Sequence, residues 1–289
     1  MRLQACIGMG QKSFLPSVKE KFKLGTYTPR IDTQVPLFVF GCGSITLKTC
    51  VSNHKGFAVI LWTGSDTLTL HQHPGFVAYL KQNEDRIFNV TFSHWCKTDL
   101  DHFGINYQHR LIIPVDVSGY QFESECEDKV YHYGNRKRQW YYGTTLLNRI
   151  ELQWEHDSTA PEFIYTTYGE HREMELYELY KDAIIGVRLT EHDGIAGSVI
   201  EMGLMGRRSI YNDPQVPCAV TYMSNPYLEY DPMVTKRWCY QGNSLIQSVG
   251  QLILDTVHEH PDPDKLLAEE MKEFVYDDLA WLDTKFYTG

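Results

Sequence analysis

Short apolar runs alternate with longer polar or amphipathic stretches along the chain, the rhythm of βα units in open, mostly parallel sheets. In the first half the runs predict strands at Leu3–Ile7, Leu37–Phe40, Ala58–Trp62, Phe88–Thr91 and Leu111–Ile113. Helical spacing fills Ser13–Lys23, Ser44–Asn53, Pro74–Gln82 and Lys97–Phe103. The second half repeats the alternation. Its strands are predicted at Val130–Tyr133, Glu162–Thr166, Ile184–Arg188 and Ser209–Tyr211, and its helices at Tyr142–Gln153, Met174–Tyr180 and Ser198–Leu204. A longer amphipathic helix, Ser244–Val257, sets Leu245, Val249, Leu252, Ile253 and Val257 on one face. After a break at His260-Pro261-Asp262-Pro263-Asp264, a last helix runs from Lys265 to about Trp281, with Leu266, Leu267, Met271, Phe274 and Val275 on its apolar side.

The acidic, aperiodic stretch Ser118–Asp128 is the natural domain boundary. Two Rossmann-like α/β domains are therefore expected, residues 1–122 and 123–264, with the C-terminal helix 265–289 packing back on the first. Facing each other, two such domains would place a cleft at their strand C-termini, where ligands of these sheets bind.

Composition narrows the partners. The 289 residues carry a formal net charge of −10, whereas a nucleic-acid binder draws affinity from a basic face. The only dense basic run is Arg136-Lys137-Arg138, so neither nucleic acid nor an anionic membrane surface is expected. No apolar run approaches a membrane span, and the opening Met1-Arg2-Leu3, soon followed by Gln4, Gly8 and Gly10, predicts no signal peptide. The 7 cysteines stand singly, with no Cys-x-x-Cys pair, which predicts reduced thiols in a cytoplasmic location. The 19 tyrosines and 6 tryptophans suit a sugar-handling cleft but equally an ordinary core.

The segment from Arg188 to Gly206 carries the most chemistry. A strand ends at Arg188, a glycine-bearing turn with Asp193 and Gly194 follows, and a helix opens near Ser198 and Val199. Amides at such a helix start, with its dipole, suit a diphosphate. Glu201, one turn in, can accept both hydroxyls of a ribose, while Gly203 and Gly206 would thin the helix for packing on the sheet. The bland reading is an ordinary βα turn with a solvated carboxylate. Gly8-Met9-Gly10 and Gly41-Cys42-Gly43-Ser44 follow strands of the first domain and read as either phosphate loops or tight turns. Asp262-x-Asp264 spells a metal motif but lacks a preceding apolar strand and reads as a linker. His71-x-His73 and His258-x-His260 lack a third ligand at useful spacing, so no metal is expected. No Gly-x-Ser-x-Gly elbow or Gly-Lys-Ser/Thr loop occurs.

The Arg188–Gly206 segment resembles the donor-binding signature of retaining GT-B enzymes of glycosyltransferase family 4. There a first acidic residue precedes a second by the spacing that separates Asp193 from Glu201. The likeness continues in chain order through Phe57–Asp66, Ser93–Gly104, Ile112–Asp116 with Phe122, and Tyr131–Gly134 with Gly143. The short form and the Trp62-Thr63-Gly64-Ser65-Asp66 wording resemble enzymes encoded by large algal viruses, which would place the protein in a host cytoplasm.

The resemblance implies a GT-B architecture and a glycosyltransferase. It would move a hexose, with retention and without a metal or other cofactor, from GDP-mannose or UDP-glucose type donors to a carbohydrate or glycoprotein acceptor. It implies catalytic roles for Asp66 and Asp193 and donor contacts from Glu201, Gly194, Ser198, Val199 and Arg188; for the cation it requires over the diphosphate, the nearest candidates are Arg136 and Lys137, with Arg138 as a donor contact. Gly10, Gly41, Gly43, Ser44 and His94 fall on the acceptor side or phosphate loop. Two departures touch charge-bearing positions. Thr63 stands where relatives carry a histidine, a place His94 could partly fill. Asn135 and Tyr142 stand where they carry an arginine and a lysine. A non-catalytic nucleotide-sugar-binding module and a sugar-nucleotide epimerase are the alternatives, and a homodimer is left open.

Overall fold

The computed structural model describes residues 5–8, 16, 19–20, 23–110, 117–134, 139, 142–167, 173–190, 193–194, 196–222 and 242–276. The expected strand Leu111–Ile113 and most of the expected helix Ser13–Lys23 lie outside them. Two compact units emerge. The first comprises Met1–Asp116, Asp193–Ile195 and Phe274–Gly289, the second Val117–His192 and Ala196–Glu273.

The first unit is built on a parallel sheet of β1 (Ala5–Gly8), β2 (Gly25–Thr26), β3 (Leu37–Phe40), β4 (Ala58–Trp62), β5 (Ile87–Thr91) and β6 (Gln108–His109), in spatial order β2-β1-β3-β4-β5-β6. Its helices are α1 (Ile45–Asn53), α2 (Pro74–Gln82) and α3 (His94–Phe103), with a 3-10 turn at Thr67–Gln72. Every residue of β3 and β4 is buried, as strands covered on both faces must be. Leu37, Val39, Ala58, Ile60 and Trp62 form the core with Leu47 and Val51 of α1. Helix α3 starts three residues before the sequence suggested, because Ser93 caps it by accepting from the Cys96 amide at 3.2 Å.

The second unit repeats the plan with β7 (Lys129–Gly134), α4 (Thr144–Trp154), β8 (Glu162–Thr167), α5 (Glu173–Asp182), β9 (Ile185–Arg188), α6 (Gly197–Leu204), β10 (Arg208–Tyr211), β11 (Ala219–Val220), α7 (Gly242–Glu259) and α8 (Lys265–Tyr276), of which Phe274 onward counts with the first unit. The sheet is parallel throughout, in order β11-β10-β9-β7-β8. The chain leaves β7 for β8 on one side and returns to β9 on the other. Between the C-termini of β7 and β9 lies the switch point where such sheets open a crevice.

Ser118–Asp128 is not a loose connector. Its Tyr120 is buried against Tyr177 and Tyr180, with ring centroids 6.1 and 5.9 Å away. The Glu123 and Glu125 carbonyls accept from the guanidinium of Arg207. That side chain, 1% exposed, also donates to the carbonyls of Ala183, Met205 and Lys181. All five guanidinium N–H groups thus have carbonyl partners.

Two packing expectations need correction. Gly203 does thin the helix, a Cβ there falling 2.7 Å from Cys218 Sγ just before β11 and 2.9 Å from a Met271 carbon of α8, but Gly206 lies past the end of α6 at a φ of +86°, where a Cβ would fall 2.8 Å from Asp264 O. Gly186 of β9, over which Met202 lies, makes a further contact between helix and sheet. Leu266 is 76% exposed rather than on the apolar side of α8, because Leu267, Ala268, Met271 and Val275 form the buried stripe. Asp264 caps that helix by accepting from the amides of Leu266 and Leu267, which gives the Asp-x-Asp sequence a structural role.

Candidate functional site

In the first unit the loops after β3 and β4 are joined through one carboxylate. Asp66 accepts from the Cys42 amide at 3.0 Å and from the Thr63 amide at 3.1 and 3.2 Å. Gly43 packs closely beside it, since a Cβ would lie 3.2 Å from Asp66 Cβ. Beneath the same loops Lys48, buried, donates to Gly43 O at 2.9 Å and Thr69 Oγ1 at 2.6 Å. Burial lowers its pKa. Nothing in the local sequence marks Lys48, which sits in an ordinary helical position. Ser44 is spent as the cap of α1, accepting from Leu47 N at 3.1 Å, and His94 opens α3 with its ring edge-on to Trp95. The Asp193–Ile195 segment belongs to this unit too. Gly194 lies backbone to backbone on Thr63, where a Cβ would come within 2.0 Å of the Thr63 carbonyl oxygen. Of the residues assigned here by sequence, the structure brings together Gly41, Gly43 and Asp66; Gly194, expected as a donor contact in the second domain, groups with them instead. Gly10 lies outside the described residues.

In the second unit the polar side chains gather at the β7/β9 switch point. Arg188, at the end of β9 and 8% exposed, lays its guanidinium over Tyr142 at 4.5 Å and Tyr133 at 4.9 Å. The two rings meet edge to face, 5.6 Å apart at 83°, and form a corner for the cation. Gly143 lets the chain reach this position: its φ is +78°, and a Cβ would strike Leu189 at 2.4 Å. Sequence reasoning could not find Tyr142 as a partner of Arg188, because the two are remote in the chain and meet only through the crossover.

His132 stands beside this corner, fully buried. Its Nδ1 is 2.9 Å from Val187 O and its Nε2 2.9 Å from Thr144 Oγ1. A carbonyl only accepts, so Nδ1 carries the proton and Nε2 accepts from the threonine. Burial foremost, with the nearby Arg188 charge, brings its pKa down to about 4, although the Val187 carbonyl opposes the shift. The unfolded chain then takes up a proton between about pH 6.5 and pH 4 that the folded protein refuses. This contribution is complete above pH 6.5 and is lost as pH falls toward 4. Between pH 7 and 5.5 it is worth about 1 kcal/mol. Urea unfolding at those two pH values should show the wild type losing about that much more than His132→Gln; equal losses would refute the assignment.

Glu201, partly exposed on α6, accepts at Oε2 from the Tyr180 hydroxyl at 2.7 Å. Tyr180 packs edge-on to Tyr131 at 4.7 Å, and the Tyr131 hydroxyl pairs with Thr166 Oγ1 at 2.6 Å. The other carboxylate oxygen of Glu201 turns toward Gly197, where a Cβ would lie 3.5 Å away. At the start of α6 the Val199 amide closes the first turn onto Ala196 O at 3.1 Å, and Ser198 follows Gly197 on the same turn. Arg207 is committed to the five carbonyls described above. Arg136, Lys137 and Arg138 lie outside the described residues. Among the described residues no group of three or more His, Cys, Asp or Glu is placed to hold a metal ion, and no helix is long and apolar enough to cross a membrane.

No protein-family model matches the sequence, and no curated protein does. Solved structures do. TarM is similar over 86% of this chain and 54% of its own, at 13% identity and a TM-score of 0.52. A variant of S. aureus TarM in complex with fondaparinux, alpha-GlcNAc-glycerol and UDP covers 84% and 55%, also at 13% identity, with a TM-score of 0.44. The chain spans about half the length of these proteins. At such identity the likeness speaks for the fold alone, which is GT-B-like: two Rossmann-like units, each on its own parallel sheet.

Proposed function

We propose that the protein is a glycosyltransferase that takes a hexose from a nucleoside diphosphate sugar of the GDP-mannose or UDP-glucose type. The observation that carries this reading is the Arg188 cation held in the Tyr133–Tyr142 corner at the switch point of the second sheet. Such crevices take nucleotides, and a guanidinium matches a diphosphate in shape and charge. In this reading Glu201 takes the ribose, and the Gly197 and Ser198 amides take a phosphate oxygen, since the Val199 amide is bonded to Ala196 O. The bond between the sugar's anomeric carbon and the diphosphate oxygen breaks, and the bonding pair leaves with the nucleoside diphosphate. Arg188 steadies that charge, supported by Arg136, Lys137 or Arg138. An acceptor hydroxyl forms the new bond on the same face and passes its proton to the departing diphosphate oxygen, which retains the configuration. Asp193 belongs to the sugar end of the site, and the first unit serves the carbohydrate or glycoprotein acceptor. Work of this kind fits the cytoplasm.

The test is calorimetric titration with a panel of nucleotide sugars, together with release of nucleoside diphosphate. Because cations and a helix start replace a divalent ion here, binding and turnover should persist in excess EDTA. Loss in EDTA with rescue by manganese would overturn the metal-free reading. A binding module without turnover is the second reading, favoured by Asp66: its carboxylate is engaged by the Cys42 and Thr63 amides, which leaves it less suited to steer an acceptor. Tight binding of one donor with no product would decide for it.

A further inference from the structure

We infer that the Tyr180 hydroxyl sets the position of Glu201, and that the pair makes the site select ribonucleoside over deoxyribonucleoside diphosphate donors. The inference rests on the reading of Glu201 as the ribose ligand. A glutamate on a helix has three side-chain torsions, and holding them costs entropy unless a partner fixes them. Tyr180 is such a partner. Its ring is 1% exposed, wedged between Tyr120 at 5.9 Å and Tyr131 at 4.7 Å. A phenol packed this way cannot follow a wandering carboxylate, so its bond at 2.7 Å holds one oxygen of Glu201 in place.

Direction follows from chemistry. An ionised carboxylate only accepts, so the phenol donates. Burial first, then the Glu201 charge, pushes the Tyr180 pKa well above its ordinary value, which keeps the hydroxyl a donor across the working pH range. With Oε2 tied to the Tyr180 hydroxyl and Oε1 lying toward Gly197 in the first turn of α6, the plane of the carboxylate is fixed, and with it the direction from which ligand hydroxyls approach. Two vicinal hydroxyls satisfy a preset carboxylate better than one does. A deoxyribose offers this part-buried carboxylate one hydrogen bond fewer, and the loss of a bond to a charged acceptor is what makes such sites selective.

The experiment compares UDP and GDP with their 2′-deoxy forms on the whole chain by calorimetry. Wild type should bind the ribose forms about tenfold more tightly than the deoxy forms. In Tyr180→Phe that ratio should shrink to about threefold or less, because the ribose forms lose two well-placed bonds to Glu201 and the deoxy forms only one. Against a Glu201→Gln background the same substitution should add nothing, which a merely structural role of the ring would not produce. Site-specific 3-fluorotyrosine at Tyr180, a stronger donor of nearly the same shape, should widen the ratio and guards against loss of folding in the phenylalanine variant. A wild type that discriminates, with Tyr180→Phe discriminating equally, overturns the inference and leaves the donor site standing. A wild type that binds none of the four nucleotides removes both.

Discussion

Arg188→Ala is expected to weaken binding of a nucleoside diphosphate by about 100-fold and to slow turnover at least as much. The free nucleoside, which has no phosphate, should bind nearly as before. The size follows from the setting. Charge-assisted hydrogen bonds to phosphate are roughly twice as strong as neutral ones, and a largely desolvated cation loses little to screening. Arg188→Lys should recover only part of the loss, because an ammonium lacks the planar fork and does not stack flat on the rings. Tyr142→Phe keeps a ring under the cation and should be mild, whereas Tyr142→Ala opens the corner and should cost about tenfold. If Arg188→Ala binds the diphosphate as wild type does, the switch-point assignment is wrong, and the basic run Arg136-Lys137-Arg138 becomes the next place to look.

The second large effect is on stability. Arg207→Ala should destabilise the second unit by about 3–5 kcal/mol. The loss comes from five carbonyls that would each surrender a buried partner: Ala183, Met205, Lys181, Glu123 and Glu125. Arg207→Lys should cost nearly as much, since three donors on a compact ammonium cannot reach acceptors spread around a planar fork. Urea unfolding followed by tryptophan fluorescence would read the loss, and nucleotide affinity of the folded fraction should stay unchanged. A change below about 1 kcal/mol would mean that water replaces the guanidinium at these carbonyls.

The long elements were legible in the sequence because their apolar spacing is imposed by the same burial that fixes them. Ala58–Trp62 was readable as a strand and is buried at every position; Val249 and Ile253 were placed on the inner face of α7 and are buried there. What escaped was short or non-periodic. The pairs Gly25–Thr26, Gln108–His109 and Ala219–Val220 are strands only because a neighbour offers its edge. Two residues have no period to read. Ser118–Asp128 looked like a tether because its backbone contacts, which anchor it to Arg207, leave no trace in side-chain pattern.

The candidate site divides the same way. Glu201 and Arg188 stand at strand and helix ends that glycines punctuate, so the sequence pointed to them. Tyr142 and Tyr180 were two aromatics among many. Their significance lies in what the crossovers bring beside them, which no local window contains.

The edges of the two sheets bear on how the chain behaves when partly unfolded. Among the described strands, β2, β6 and β11 close three of the four edges with two residues each. So short an edge offers a second chain almost no ladder to extend. The fourth edge, β8, offers six residues, Glu162–Thr167, including Phe163, Ile164 and Tyr165. Aggregation on refolding should therefore begin at β8, and a lysine in place of Ile164 is the change that would blunt it at least cost to the core.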